Sequence, residues 1–423
     1  MDITTIAQEV RALLASEGVE LTEDVGVAER VVREKVLAIG RHALQQHFEG
    51  RKLGYEGSSR ACPCGESQKF VGHREKHVVT LLGEVTMRRA YYHCRHCGQS
   101  GVPYDQQAGL ASCAASPGLA KAACLAGIQV PFGQAARLLE ELSGIRLSQS
   151  TVGRLTERVG AVADVREQTE ARRVKNWQSP PDAPLAGRLY NSADGTMMHT
   201  LEQWQEVKTQ VCYWTDGQDQ HHARYCSRLE GIEEFVGHAW ALSSRWGLDK
   251  CRQSVLIGDG AAWIWDRLGP VFDESIQIVD WYHALEHVWS CGRVLHGEGT
   301  EACHQWVKAK EGLLWHGQWA KVLEELQSEH GRVRAKGKRA AMQSLMTYLR
   351  NQGSRLDYQK FRDAGLDIGS GTVESACRHV VQARMKRAGT RWSASGAQAV
   401  LSLRCCWLNE QWQPFWNSHP LAA

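Results

Sequence analysis

The sequence predicts a multidomain α/β protein, on three observations. The chain has 423 residues, room for two to four domains of about 150 residues each. From Gly187 onward, strand-like and helical runs alternate, the pattern of a sheet with helices against it. Four of the 14 cysteines stand as two close pairs flanking a strand pair, the spacing of a small metal-bound module.

Composition narrows the class. Hydrophobic residues make up 43% and charged residues 23%, which excludes wholesale disorder. Lys+Arg 50 against Asp+Glu 47 leaves +3, so nucleic-acid binding must come from local clusters. No run approaches the roughly 18 apolar residues of a membrane span. The N-terminus reads as an amphipathic helix without the apolar core of a signal peptide, and the expectation is a soluble, cytoplasmic protein with no membrane partner. The remaining cysteines, Cys212, Cys291 and Cys377 among them, read as reduced, buried small hydrophobes. Trp at 16 outnumbers Tyr at 10 and Phe at 7, so cores built around indoles are expected.

Taken in order, residues 2–48 carry helical spacing of apolar positions and predict two or three helices, an N-terminal helical region over 1–50. Over 51–108 glycines break the helix, and His77–Leu82 with Glu84–His93 read as strands turned at Gly83. Residues 109–175 return to helix, interrupted at Pro131 and Gly144. Asn176–Gly187, with three prolines, reads as a linker. The last domain, 187–417, begins with strand-like runs at Gly187–Ala193, Val207–Trp214, Ser254–Ile257 and Ile276–Val279. Helical runs lie at 231–246, 261–269 and 281–296, a helical insertion at about 297–365, and a final helical block at 372–417.

Cys62-Pro-Cys64-Gly and Cys94-Arg-His-Cys97-Gly, joined by the strand pair, describe a zinc ribbon. The hairpin brings two knuckles together, and four thiolates close a tetrahedral structural Zn²⁺ site. The first pair has a tighter bite than Cys-x-x-Cys, which leaves His93 or His96 as a substitute ligand.

Phe132–Leu142 and Ser148–Val159 flank a turn with Gly144, a helix-turn-helix pattern in which Ser148 or Ser150 caps the second helix. Arg154 and Arg158 share a face there and can meet phosphates.

Three acids stand where an α/β domain focuses them. Asp194 ends the first strand of the last domain, and Asp259 follows the apolar run Ser254-Val-Leu-Ile. Both project toward the crevice at strand ends. Glu374 lies just inside a helix N-terminus, where the dipole favours its ionised form. Such a set can hold two Mg²⁺ (or Mn²⁺) ions about 4 Å apart for phosphodiester displacement.

With these residues on the page, the chain resembles a bacterial DDE transposase of the insertion-sequence group named after Kra (the ISKra group), within the Mutator-like assemblage. The resemblance covers about residues 60–405. Its motifs are the ribbon ending in Tyr91-Tyr-His-Cys, Asp194-Gly-Thr, Gly258-Asp-Gly-Ala-Ala-Trp-Ile-Trp, Asp280-Trp-Tyr-His-Ala-Leu-Glu-His and Gly369-Ser-Gly-Thr-Val-Glu-Ser, running into Arg384-Met-Lys-Arg-Ala-Gly-Thr-Arg-Trp. The first knuckle, Cys62-Pro-Cys64, is one residue shorter than the pattern. The resemblance implies an RNase H-like mixed sheet and Asp194, Asp259 and Glu374 as the metal-binding catalytic triad, with Asp280 and His283 beside the site. It further implies DNA as partner, at element ends and target, and a homo-oligomer acting on it at the nucleoid.

Two further features need weighing. His283-Ala-Leu-Glu286-His287 matches H-x-x-E-H, the inverted zinc-protease motif, but five residues specify little and the transposase pattern accounts for them. Arg332–Arg339 and Arg378–Arg391 are basic clusters; the second starts one turn past Glu374. From it Arg384, Lys386, Arg387 and Arg391 are candidates to carry a DNA backbone, while Arg378 can instead pair with Glu374. The expectation is therefore a DNA transposase; the alternative is a non-catalytic DNA-binding protein derived from one.

Overall fold

The computed structural model describes residues 3–16, 23–173 and 187–422. Apart from Gly187, the linker read at Asn176–Gly187 lies outside the described residues. Two compact units emerge, residues 1–159 with 413–423, and residues 160–412. No described helix is long and apolar enough to cross a membrane.

The first unit opens with α1 (Ile3–Ser16) and α2 (Val25–Phe48). Asp24 caps α2 by accepting the Val27 N–H at 3.0 Å, filling one of the donors a helix start leaves open. Leu44 and Phe48 of α2 pack on Val78, Val85, Met87 and Leu110. Those residues belong to or adjoin an antiparallel sheet in the order β1 (Ser59–Ala61), β2 (Ser67–Thr80), β3 (Gly83–His93), β4 (Ser100–Gly101). The β2–β3 turn falls at Gly83, as the sequence predicts, with φ 114°. Short α3 (Pro103–Gln107) buries Asp105 against Arg89 Nη1, 2.6 Å away.

The helical run then divides into α4 (Pro117–Gln129), α5 (Phe132–Ser143) and α6 (Gln149–Arg172), broken at Pro131 and at left-handed Gly144. The Ser148 hydroxyl accepts the Thr151 N–H at 3.2 Å, so Ser148 is the cap. The second helix of the pair does not stop near Val159. It continues to Arg172, because nothing after Val159 forces a break. Gly160 serves packing: a Cβ there would meet the Ala399 carbonyl oxygen at 2.1 Å.

In the second unit, β5 (Arg188–His199), β6 (Trp204–Thr215), β7 (His221–Arg228), β8 (Gln253–Gly258) and β9 (Ile276–Val279) form one sheet in the order β7-β6-β5-β8-β9. β5 runs antiparallel to β6 and β6 to β7, whereas β8 and β9 are parallel to β5. The four strands read from the sequence are present, but β5 does not stop at Asp194: it runs on to His199, because residues 194–199 pair with 204–209 of β6; β7 lies outside the expected set. Its His-His-Ala-Arg-Tyr-Cys-Ser-Arg sequence has no apolar alternation, yet Arg228 is fully buried, held by Asp164, Glu167 and Glu230 at 2.6, 2.7 and 2.5 Å. Ion pairs replace the apolar face that pattern reading looks for.

Around the sheet lie α7 (Ile232–Arg245), α8 (Trp281–His296) and a one-turn π-helix at Ile264–Leu268. The insertion comprises α9 (Glu301–Trp315), α10 (Trp319–Arg332), α11 (Lys336–Gln352) and α12 (Tyr358–Asp363). The closing block is α13 (Gly371–Ala376), a π-helical stretch Cys377–Gln382, α14 (Ala383–Met385) and α15 (Ala394–Leu408), while α16 (Trp412–Asn417) belongs from Gln413 onward to the first unit. The main core is aliphatic at its centre, with Val255, Leu256, Ile257, Ile278 and Val279. Trp265 and Trp281 join it, and Trp240, Trp263, Trp289, Trp306 and Trp319 pack against it, so indoles surround an aliphatic centre.

Candidate functional site

Two sites arise, one in each unit. In the first, the β2–β3 hairpin carries a knuckle at each end. The sulfur–sulfur distances are 3.6 Å for Cys62–Cys97 and 3.8 Å for Cys64–Cys94, and all four Sγ atoms fall within 4.8 Å of one another. A tetrahedron with Zn–S of about 2.3 Å has edges of about 3.8 Å, so the quartet fits a structural zinc ion. The short Cys62-Pro-Cys64 bite does not prevent this. Left-handed Gly65 and Gly98 close the two knuckles, and the Gly65 N–H returns to the Cys62 carbonyl at 3.0 Å. Backbone N–H groups of Cys97, and then of His96, hold the Cys94 thiol down at about 7, whereas against the pull of the Cys64 N–H, burial and the neighbouring thiols push Cys62 up to about 12; the low value favours the thiolate at Cys94. His93 Nδ1 lies 3.0 Å from the Ser100 hydroxyl and is outside the quartet.

The second site lies where the parallel strands end. Ala193 pairs with Gly258, so Asp194 and Asp259 stand one step further on neighbouring strands. Asp194 Oδ1 accepts the Gly195 N–H at 2.6 Å and Asp259 Oδ1 the Ala261 N–H at 2.8 Å. Burial, then the neighbouring Asp259 charge, push the Asp194 carboxyl above the usual range against the opposing pull of the Gly195 N–H. A cation between the two acids would relieve that repulsion.

Glu374 arrives on α13. The helix is clamped to the sheet through Asp280, which is fully buried. The Asp280 carboxylate accepts the N–H of His283 at 2.7 Å and the N–H of Ser370. Asp280 N–H reaches the Gly258 carbonyl, and Trp281 N–H the Ile368 carbonyl, both at 2.8 Å. One buried acid thus ties the strand before Asp259 to the loop before Glu374. Cys377, three residues after Glu374 and on the same helix face, donates its thiol to Asp194 Oδ2 at 3.5 Å. Sequence reading took Cys377 for a buried hydrophobe alone. It is buried, but burial, and then Asp194, push its thiol up to about 12, keeping it a neutral donor.

Glu374 itself sits 3.9 Å from Arg378 Nη2, so Arg378 pairs with it. Among the described residues, the cysteine quartet is the one group of three or more His, Cys, Asp or Glu whose ligand atoms all lie within 4.8 Å. The three acids therefore do not converge to that distance. Nor do His283 and His287 assemble a three-ligand set among the described residues. His283 Nδ1 faces Glu286 at 3.5 Å, and the His287 ring stacks on Tyr348 of α11 at 3.9 Å. Of the H-x-x-E-H motif, His287 is spent on packing against α11, while Glu286 stays exposed and His283 lies near enough to act on the Asp194 carboxyl. Tyr348, which sequence reading missed, also lies against Gly260, and Gln352 donates to the Gly260 carbonyl at 3.2 Å. The insertion thereby braces the turn after Asp259. No sequence signal marks that contact, because it spans about ninety residues.

The basic candidates divide. Arg384 is fully buried, its guanidinium 4.7 Å from the Trp392 ring centre, so it is a packing residue and leaves the proposed backbone path. Lys386, Arg387 and Arg391 are exposed. In the first unit Arg154 is exposed and Arg158 half-buried.

Residues 64–412 match the protein family described as "Uncharacterised protein family (UPF0236)". The chain belongs to that family. The UPF0236 match takes in Cys64, Cys94, Cys97 and the three acids, and Cys62 lies two residues before it. A relative from Streptococcus gallolyticus, described as "UPF0236 protein in vanSb 3'region", is 23% identical over 372 residues, covering 82% of this chain and 75% of its own.

Proposed function

We propose that this UPF0236 protein is a DNA transposase that cuts and joins phosphodiester bonds with divalent metal at Asp194, Asp259 and Glu374, in an RNase H-like domain. What supports the reading is the placement of these acids: Asp194 inside β5 next to the point where its parallel pairing with β8 stops, Asp259 just past the end of β8, and Glu374 on a helix whose preceding loop is tied to Asp280. Mutually repelling carboxylates offering only oxygen suit Mg²⁺ or Mn²⁺, which prefer hard donors. Bound there, a metal pair would activate the attacking water or 3′-hydroxyl and neutralise the leaving oxygen. The chain's own part is positional. Cys377 and the Gly195 N–H hold Asp194, the Ala261 N–H and the α11 contacts hold the Asp259 turn, and Asp280 sets where α13 starts. Exposed Lys386, Arg387 and Arg391 can take phosphates, and a zinc-bound ribbon with α5–α6 would recognise element ends, working as a homo-oligomer.

Strand-transfer assays on the DNA flanking the gene test this. Wild type in Mg²⁺ nicks that DNA and joins the freed 3′ end to a target; Glu374→Gln loses the activity by about a hundredfold or more, the scale of removing one transition-state stabiliser, while still binding. Binding without cleavage by wild type would instead favour a non-catalytic derivative.

A further inference from the structure

We propose that the outer part of the β5–β6 hairpin is an apolar wedge that enters DNA and unstacks a base step beside the scissile phosphate. This rests on the transposase reading and names a contact that reading does not contain. β8 pairs with β5 only as far as Ala193, and β7 pairs with β6 only from Lys208 onward. Residues 196–207 thus pair only with one another in the sheet, as a two-stranded ribbon running past both neighbouring strands, one face buried at Thr196, Met198 and Thr200 and the other exposed. A ribbon of that kind is narrow enough to enter a DNA groove.

Its end is apolar where solvent would favour polar residues. Met197 is 48% exposed, Leu201 61% and Trp204 64%. Single exposed hydrophobics are ordinary, but these three fall within eight residues on one projecting tip. The His199 ring meets the Trp204 indole edge-on at 5.2 Å, fixing its orientation. Met, Leu and aromatic side chains are the residue types that open base steps, by wedging between them or stacking on a displaced base.

The surroundings select DNA as the occupant. The Leu201 N–H is bonded to the Trp392 carbonyl at 2.8 Å, and the Trp392 indole N–H to the Met385 carbonyl at 3.1 Å. The tip is therefore fastened to the segment presenting Lys386, Arg387 and Arg391. Of the two acids on the ribbon, Glu202 is turned to the Thr200 hydroxyl first and also to the Ala394 N–H, and Glu206 pairs with Lys208 Nζ at 3.1 Å. Cations beside a bare apolar point match a polyanion with a flat apolar interior. Met197 is three residues beyond Asp194, about 10 Å along the strand and on its opposite face, so a duplex reaching both would span about three base steps across the edge of the ribbon.

The test uses flanking-sequence duplexes carrying 2-aminopurine at successive positions, mixed with the zinc-loaded full chain without added magnesium or manganese. The expected result is a rise in fluorescence at one or two adjacent positions within about three base pairs of the cleavage site. Leu201→Ala with Trp204→Ala removes the rise and weakens binding about tenfold, within the range for one base–aromatic stack; Trp204→Phe restores it. The salt slope stays as in wild type. Lys386→Ala with Arg387→Ala does the converse, flattening the slope by about two units and keeping the rise. Far-ultraviolet circular dichroism confirms that each variant is folded. Wild type that binds and cleaves without any rise, or a rise that survives the Leu201/Trp204 pair, overturns the wedge and leaves the transposase standing. Loss of self-association with an unchanged rise overturns it in favour of a protein interface. Wild type that neither binds nor cleaves the DNA overturns both.

Discussion

Replacing Asp280 should separate a structural brace from an ordinary helix cap. Its carboxylate is completely buried and takes two backbone donors, the N–H groups of His283 and Ser370. A hydrogen bond to a charged group contributes about 1.5–3 kcal/mol, and a stranded buried donor costs about 1–3 kcal/mol. Asp280→Asn keeps the shape and one acceptor oxygen but turns an NH₂ toward the other donor, so about 1.5–3 kcal/mol should be lost. Asp280→Ala strands both donors and should cost about 3–5 kcal/mol, a large part of the 5–15 kcal/mol that typically holds a protein folded. The assay is urea unfolding followed by tryptophan fluorescence, fitted to the transition of the 160–412 unit because two units need not unfold together. Hydrogen exchange at Ser370 and Gly371 should quicken in both variants. An Asn variant within about 0.5 kcal/mol of wild type, with unchanged exchange there, would refute the clamp.

Two other predictions concern each unit's stability. The purified chain should carry about one zinc per molecule by atomic emission, and Cys94→Ser should lose it together with thermal stability of the N-terminal unit; zinc undiminished in that variant would exclude the quartet. His238 on α7 is 5% exposed, and burial first, then Arg228, hold its imidazole down at about 4 from an ordinary 6.5. The unfolded chain therefore binds this proton near pH 6.5 while the folded chain refuses it until about 4. Stability present above pH 6.5 is lost as pH falls through that window, by up to about 3 kcal/mol. His238→Gln should make the decline shallower by about one proton, measured as urea midpoints across the same range; an unchanged slope would show that the imidazole protonates freely.

Much of this was legible in the sequence because the signals were local. The β2–β3 turn at Gly83, the break at Pro131 and the bounds of α8 follow from glycine, proline and helical spacing within a few residues. Asp259 was legible as an acid ending a strand, since apolar runs announce buried parallel strands, whereas Asp194 lies inside β5, which runs on to His199. What escaped was set by distant partners. β7 is polar in sequence and becomes interior only because Asp164, Glu167 and Glu230 surround Arg228. Arg384 looks like one more cation until Trp392 folds over it. Cys377 gains its role only when α13 docks beside Asp194. Spacing within one segment cannot register such pairings.

The central claim is a two-metal site between Asp194, Asp259 and Glu374, and manganese anomalous diffraction from crystals of the DNA-bound protein tests it most directly. The account predicts two anomalous peaks about 4 Å apart among these three carboxylates, lost in Asp259→Asn. Saturating manganese that leaves the three carboxylates without a peak, or that binds only at other acids, would contradict it.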